Sequence, residues 1–338
     1  MLEVLVTGGA GFIGSNFVRY ALRAHPDWRV TTLDKLTYAG RRENLHDVME
    51  DPRHRFVQGD VADAAVAAPL VRESNIVVHF AAETHVDRSI LSAGEFITTD
   101  VFGTFVLLEA ARESPGLRRF IQISTDEVYG SVAEGSSGET DELKPRNPYS
   151  ASKAGADRLA YSYWATYQVP VIITRASNNY GPYQFPEKVI PLFVTNVIDD
   201  TEVPLYGDGL NERDWLHVED HCRAVDLLID AAENGEVYNV GGGNHVMNVD
   251  LTHRILELAG KPASLIRHVP DRPGHDRRYS LDTSKLRRLG WAPQIDFDAG
   301  LAATVEWYRQ NEWWWRPIKD ADPAFRAYYD AQYGNRRS

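Results

Sequence analysis

The stretch 5–16, LVTGGAGFIGSN, decides how the rest of the chain is read. A β-branched apolar run stops at Gly8, Gly11 and Gly14, and a helical pattern starts at once, with Phe12 and Ile13 between the last two glycines. Glycines at such a junction permit a tight turn, a close approach of backbone to a pyrophosphate, and a helix N-terminus aimed at the anion. Asp34 ends the next strand, RVTTLD, about 20 residues after Gly14, where a carboxylate can hold a ribose 2′-hydroxyl. Strand, glycines, helix and acid together predict a dinucleotide site and favour NAD over NADP.

Outward from that unit, short β-branched runs alternate with helical patterns: RHRFVQGD, NIVVHFAA, a helix over roughly 96–113, RFIQIST, a helix from about 149 to 167, and PVIITR. This alternation predicts an α/β fold, a Rossmann-type doubly wound parallel sheet, with ligands at the carboxyl ends of its strands. After ITRASNNYGPYQFPEK (173–188) the strands shorten and Pro and Gly multiply, which predicts a smaller, discontinuous α/β substrate-binding lobe. The expected division is 1–177 plus about 213–245 for the dinucleotide lobe, about 178–212 plus 246–315 for the second, and 316–338 as a C-terminal extension. The segment 131–148, rich in Gly, Ser, Pro and acids, reads as a surface loop or lid.

A chain of 338 residues, 43% hydrophobic, can bury a large core, and its net charge of −12 without a dense basic run argues against nucleic acid. The single cysteine, Cys222, cannot form an internal disulfide and fits a reducing cytoplasm. No apolar stretch approaches the ~20 residues that cross a bilayer, so no membrane association is expected. His217 and His221 have helical i, i+4 spacing but lack the His-Glu-x-x-His order of a zinc helix, and no metal is expected.

Two further features carry chemistry. Tyr149 and Lys153 lie four apart on a helical pattern and so share a face, where an ammonium would lower the phenol's pKa and let the phenolate accept an alcohol proton. The run FIQISTDEVYG stops being apolar at Ser124, Thr125, Asp126 and Glu127. Adjacent strand residues face opposite ways, so both acids can serve one site only if the chain turns there. Two carboxyls brought together cannot both ionise easily, which leaves one acid and one base for eliminating water across a carbon–carbon bond. An N-cap or a plain surface charge is the alternative reading of either acid.

The Gly-x-x-Gly-x-x-Gly spacing resembles the short-chain dehydrogenase/reductase superfamily. TGGAGFIGSN, LDKLTYAG, HFAAETHVDRSI, STDEVYG, YSASKAGAD, SNNYGPYQFPEK, YGDGLNERDW and DRPGHDRRY resemble the dTDP-glucose 4,6-dehydratase family nearly from end to end. The Thr125-Asp126-Glu127 run discriminates: related epimerases have no such pair there, and other dehydratases and decarboxylases resemble Thr-Ser-Glu.

The resemblance implies that Tyr149, helped by Lys153 and Thr125, takes the C4 hydroxyl proton during oxidation by NAD, that Glu127 removes the C5 proton, and that Asp126 protonates the leaving C6 hydroxyl. It implies further cofactor contacts at Lys35, Leu36, Thr37, Asp60, Val61, Ala81, Ala82, Thr99 and Asn179, alongside Tyr149 and Lys153. Around dTDP-glucose it implies Thr84, Thr125, Asp126, Glu127, Asn178, Glu187, Lys188, Leu192, Pro204, Tyr206, Asn248, Arg272, His275 and Tyr279. Arg213 is the strongest phosphate candidate, since a guanidinium can grip phosphate bidentately. Phe102, Phe105, Leu108, Tyr161 and Trp164 spread over more than one helix face, which together with the resemblance predicts a homodimer through paired helices. The product would enter deoxysugar biosynthesis, for rhamnose or for secondary-metabolite sugars. Another NAD-dependent nucleotide-sugar epimerase or dehydratase, or a non-catalytic dinucleotide sensor, are the readings that the acid pair opposes.

Overall fold

The computed structural model describes residues 1–334. Its strands in chain order are β1 (Leu2–Thr7), β2 (Trp28–Asp34), β3 (His54–Gln58), β4 (Ile76–His79), β5 (Arg119–Thr125), β6 (Val171–Ala176), β7 (Asn178–Tyr180), β8 (Val203–Tyr206), β9 (Glu212–His217), β10 (Val237–Val240), β11 (His245–Met247) and β12 (Ile266–Val269). Seven of them form one all-parallel sheet in the order β3-β2-β1-β4-β5-β6-β10. The chain winds outward from β1 in one direction and then, from β4, in the other. The crevice of a doubly wound sheet opens at that reversal, beyond the carboxyl ends of β1 and β4.

Both faces of this sheet are covered, so its strands read as apolar runs with no polar alternation. Alternate side chains feed two cores. Val4, Val6, Ile76, Val78, Ile121 and Ile172 point into one, which the helices Phe12–Ala24 and Val218–Ala231 complete. Leu5, Val77, Phe120, Val171 and Ile173 point into the other, under Gly103–Arg112 and Pro148–Tyr167. The period-two geometry of the strand makes this division.

The second lobe holds a three-stranded sheet, β11-β9-β7, and the parallel pair β12-β8. Its own core is aromatic, built on Tyr180, Trp215, Tyr308, Trp314, Trp315 and Phe325. Three sequence expectations are corrected here. Strand β9 pairs with β7, so Arg213–His217 belong to the small sheet and not to the first lobe. Leu286 and Trp291, expected in the second lobe, are buried in the first lobe's core. The residues after 315 supply Ile318, Phe325, Tyr328 and Tyr333 to the second core, so this part of the C-terminal extension is integral to it.

Within EWWWR, Trp313 stays exposed while Trp314 and Trp315 are buried. Trp314 Nε1 donates to Asn44 Oδ1 at 2.7 Å, and Asn44 Nδ2 donates to the Ala10 carbonyl at 2.7 Å, which ties the second core to the glycine-rich loop. Segment 131–148, expected as a surface loop or lid, is strapped down near its start: Val132 and Ser137 donate backbone N–H groups to the carbonyls of Arg278 and Ser280 at 3.0 and 2.9 Å. On the helices expected to pair between copies, Phe102, Phe105 and Tyr161 are exposed, but Leu108 is fully buried in the chain's own core. Among the described residues no helix is long and apolar enough to cross a membrane.

Candidate active site

The glycine-rich turn is built for close approach. Gly8 has φ +66°, and a Cβ there would sit 2.5 Å from Ala81 N; a Cβ on Gly14 would sit 2.3 Å from the Gly8 carbonyl oxygen. With no side chain at the cap Gly11 and no acid in its first turn, helix Phe12–Ala24 presents bare amides to the cleft. Asp34 ends β2 nearly buried, its Oδ2 accepting Ala10 N–H at 2.9 Å and its Oδ1 accepting Leu36 N–H at 2.8 Å. Each carboxylate oxygen keeps a free lone pair for a hydroxyl. Leu36 acts through this backbone bond, at φ +59°, and does not line the cleft. Lys35 and Asp60 pair across the cleft edge at 2.7 Å.

The cleft has a volume of about 280 Å³. Every other residue expected around the cofactor lines it: Gly8, Gly11, Phe12, Ile13, Gly14, Thr37, Val61, Ala81, Ala82, Thr99 and Asn179 join those just named, with Tyr149 and Lys153 at the far end. Several buried polar atoms along its wall have no partner within the protein, among them Ser124 Oγ, Asp126 Oδ2, Ser177 Oγ, Asn178 Oδ1 and His221 Nε2. Unpaired buried groups cost about 1–3 kcal/mol each, so a wall of them marks a surface shaped for a polar ligand. The glycine cradle, the helix end and Asp34 fit a dinucleotide.

Strand β5 ends at Thr125, and Asp126–Tyr129 form a 3-10 turn. Thr125 opens that turn by accepting the Glu127 N–H on its hydroxyl at 3.3 Å. The turn puts Asp126 and Glu127 on the same cleft, which a continued strand would forbid. Its far end is clamped by Arg175, fully buried on β6. Arg175 grips Asp157 through Nε and Nη2 at 2.8 and 3.1 Å, and its Nη1 donates to the Tyr129 hydroxyl at 2.7 Å. Bidentate Arg–carboxylate pairs fix direction as well as charge.

Asp126 is buried, and Thr125 Oγ1 donates to its Oδ1 at 3.1 Å. Burial first, and the charge of Glu127 second, push its carboxyl well above the usual range, which favours the protonated acid. Tyr149 comes from the first turn of helix Pro148–Tyr167, where Asn147 and Ser150 form a reciprocal cap with Pro148 at the first position. Lys153, one turn on, donates to the Ile123 carbonyl at 2.7 Å. The expected lowering of the Tyr149 pKa is corrected: burial, then the charges of Glu127 and Asp100, raise it well above 10. Lys153 is itself pushed down by burial.

The expected substrate contacts do not all fall in one place. Thr84, Asn178, Glu187 and Lys188 line the cleft with the acids; Lys188 donates to the Thr84 carbonyl at 2.7 Å, and Glu187 pairs with Arg88 at 3.0 Å. Tyr206 and Arg272 gather beside it around Asp87, which accepts from Arg272 Nη1 at 2.8 Å and from the Tyr206 hydroxyl at 3.1 Å, while His275 lies 5.9 Å from the Tyr206 ring and pairs with Asp271. Arg213 sits over the Tyr279 ring at 4.4 Å and donates to the carbonyls of Glu212 and Asp276, so part of its guanidinium is already engaged. Tyr279 donates to Asp276 at 2.7 Å. Asn248 opens a helix with its Oδ1 buried and unpaired, while Leu192 and Pro204 are buried in the second lobe, away from the cleft wall. His217 caps helix Val218–Ala231 and His221 Nδ1 lies 2.9 Å from Asn179 Oδ1.

Sequence reading missed Asp87, Glu83, Asp100 and the C-terminal Tyr328 and Tyr333. Tyr328 reaches Asp87 at 3.3 Å and Tyr333 lies 3.5 Å from the Tyr206 hydroxyl, long-range contacts that no local pattern reveals.

Comparison with known proteins places this arrangement. Residues 5–304 match the family model described as GDP-mannose 4,6 dehydratase. The dTDP-glucose 4,6-dehydratase of Streptomyces niveus is 52% identical, over 96% of this chain and 97% of its own length. The chain belongs to the dTDP-glucose 4,6-dehydratase family. Among solved members, DesIV, a dTDP-glucose 4,6-dehydratase from Streptomyces venezuelae with NAD bound, superposes with a TM-score of 0.92 at 53% identity, covering 94% of this chain and all of that one. A UDP-glucose 4-epimerase from Thermus thermophilus shares the fold more distantly, with a TM-score of 0.84 at 33% identity over 91% of this chain and 99% of that one. Fold alone therefore does not separate the dehydratase family from epimerases, and the acid pair at 126–127 carries that weight.

The raised pKa of Asp126 links stability to pH. The folded state holds a proton that the unfolded chain releases above about pH 3.9, so stability falls as pH rises from there toward the folded value. Asp126→Asn removes this loss. Calorimetry should show the variant melting above the parent at about pH 8, with the gap closing toward about pH 4; a gap independent of pH would contradict the protonated assignment.

Proposed function

We propose that this chain is an NAD-dependent dTDP-glucose 4,6-dehydratase that converts dTDP-D-glucose to dTDP-4-keto-6-deoxy-D-glucose and water. The observation that carries the reading is the consecutive pair Asp126 and Glu127, one acid buried with its proton retained, at the end of a dinucleotide cleft shared with Tyr149 and Lys153. NAD, when bound by the glycine turn and Asp34, supplies the acceptor for the C4 hydrogen as hydride and the means of returning that hydride to C6.

Tyr149, acting as the phenolate, takes the C4 hydroxyl proton, with Thr125 beside it and the Lys153 ammonium balancing the phenolate's charge. The resulting 4-keto group makes the C5 hydrogen acidic, and Glu127 removes it as a proton. Asp126 gives its own proton to the C6 hydroxyl, so the C6–O bond breaks as water leaves and a C5–C6 double bond forms. Glu127 then returns a proton to C5. Tyr149 has gained one proton and Asp126 has lost one, so transfer between them restores the site with no net proton taken up. An epimerase needs neither a proton donor at C6 nor a base at C5, so the pair favours the dehydratase over that second reading.

Lys188, Arg272 and Arg213 supply the cations that a pyrophosphate demands from a chain of net charge −12. We place the enzyme in the cytoplasm, in keeping with its lone buried cysteine. We also infer a homodimer: Ile97, Phe102, Phe105 and Tyr161 remain exposed on Ile97–Arg112 and Pro148–Tyr167, an apolar face suited to a second copy of itself.

Two measurements test these statements. Glu127→Gln, loaded with NAD and given dTDP-glucose, should oxidise C4 and stall, so that bound NADH absorbance accumulates and 6-deoxy product does not; unchanged turnover would refute the base assignment. Sedimentation should give twice the 38.0 kDa monomer mass, and Phe105→Asp should give the monomer. A monomeric parent protein would overturn the dimer.

A further inference from the structure

A chain of buried hydrogen bonds runs from the second lobe into the glycine-rich loop. Ala10 stands between Gly9 and Gly11, whose backbone freedom would let that stretch swing. It is pinned at both ends. Its N–H donates to Asp34 Oδ2 at 2.9 Å, and its carbonyl accepts from Asn44 Nδ2 at 2.7 Å and from the Arg41 N–H at 3.0 Å. Asn44 Oδ1 in turn accepts from Trp314 Nε1, on the short helix Glu312–Arg316, at 2.7 Å. Asn44 and Trp314 are each 1% exposed, so water cannot stand in for either partner.

The members of this chain fix its direction. An indole N–H can only donate, so it takes the oxygen of the Asn44 amide and leaves the NH₂ facing the loop. A carbonyl can only accept, so the NH₂ finds its partner at Ala10. The backbone of Asn44 is held as well, in the 3-10 turn Arg42–Leu45: its N–H donates to the Arg41 carbonyl at 3.0 Å, and its carbonyl accepts from Arg19 on helix Phe12–Ala24. Arg19 lies over the Tyr183 ring at 4.0 Å, and Tyr183 packs edge-on against Trp314 with ring centres 5.7 Å apart. Trp314 thus meets the first lobe by two routes, and only the route through Asn44 ends on the loop itself.

We propose that Trp314 and Asn44 are positioning residues for the cofactor: through them the second lobe holds the Ala10 backbone, and with it the Asp34 carboxylate, in the geometry that retains NAD. A loop ordered beforehand loses less freedom when the dinucleotide binds, and the gain appears chiefly as slower release. The proposed reaction requires slow release. Hydride taken from C4 must return to C6 of the same sugar, so a cofactor that left in its reduced form would strand the intermediate. The lobe that receives the sugar therefore also braces the loop that keeps the cofactor. The proposal rests on the glycine turn and Asp34 being the NAD site. Without the Asn44 bond the Ala10 carbonyl still has the Arg41 N–H, so the loop is loosened and not orphaned.

The test uses NAD-loaded, full-length protein with Trp314→Phe, which keeps an aromatic ring in the second core and removes the N–H. Asn44 Oδ1 then has no donor, and its amide can turn away from Ala10. NAD release, read by trapping the freed cofactor with an excess of a second NAD-dependent dehydrogenase and its substrate, should be roughly tenfold faster, as expected for one lost buried hydrogen bond. KM for dTDP-glucose should stay at the parental value. Asn44→Leu removes the same link at its middle and should speed release by a similar factor; the double variant should add nothing further, since both changes break one chain. Trp315→Phe is the control. Trp315 Nε1 donates to the Tyr308 carbonyl at 2.7 Å, a bond of the same kind that stays inside the second core. Its loss should lower the melting temperature and leave NAD release at the parental rate. Parental release from folded Trp314→Phe or Asn44→Leu would overturn the proposal, as would equal acceleration in Trp315→Phe, the mark of general loosening. A parent protein that takes up no NAD would show instead that the cofactor reading had failed.

Discussion

Two carboxyl groups on consecutive residues can serve one substrate only if the strand that carries them stops between their side chains and the sheet. The site depends on that stop. Strand β5 ends at Thr125, the 3-10 turn swings Asp126 and Glu127 onto one side, and the Arg175–Asp157 pair fixes the end of the turn through Tyr129. A buried ion pair of this kind adds little net stability, because desolvation consumes most of its attraction. Its value is directional, since it holds a polar turn in one conformation at the edge of a dry core.

Burial supplies the electrostatics. The same water exclusion that makes the parallel sheet stable keeps Asp126 protonated and Tyr149 neutral, and it pulls Lys153 toward losing its charge. The first of these effects suits the reaction as it stands. The other two oppose it, since the C4 step calls for a phenolate beside an ammonium. The site is thus a small set of groups whose protonation states are set against one another, and the peptide geometry of β5 and of helix Pro148–Tyr167 determines which pairs interact.

Much of this was legible in the sequence because it is local. The glycine turn, Asp34 at the end of β2, and Tyr149 with Lys153 one helical turn apart each declare themselves within a few residues. The stop after Thr125 was readable from the alternation rule alone. What the sequence hid is long-range. Trp314 meeting Asn44, Tyr328 meeting Asp87 and β9 joining β7 bring together segments with no shared pattern. The direction of the Tyr149 shift was misjudged for a related reason: spacing shows that an ammonium is near, but not how much water is missing.

The central claim, that one site oxidises C4, eliminates across C5 and C6 and returns the same hydride, is tested most directly by the fate of a single label. The protein should be incubated with dTDP-glucose deuterated at C4 and the product followed by NMR. The account predicts deuterium at C6 and solvent hydrogen at C5 of a 4-keto-6-deoxy sugar. Deuterium retained at C4, or no 6-deoxy product from folded, NAD-loaded protein, would contradict it.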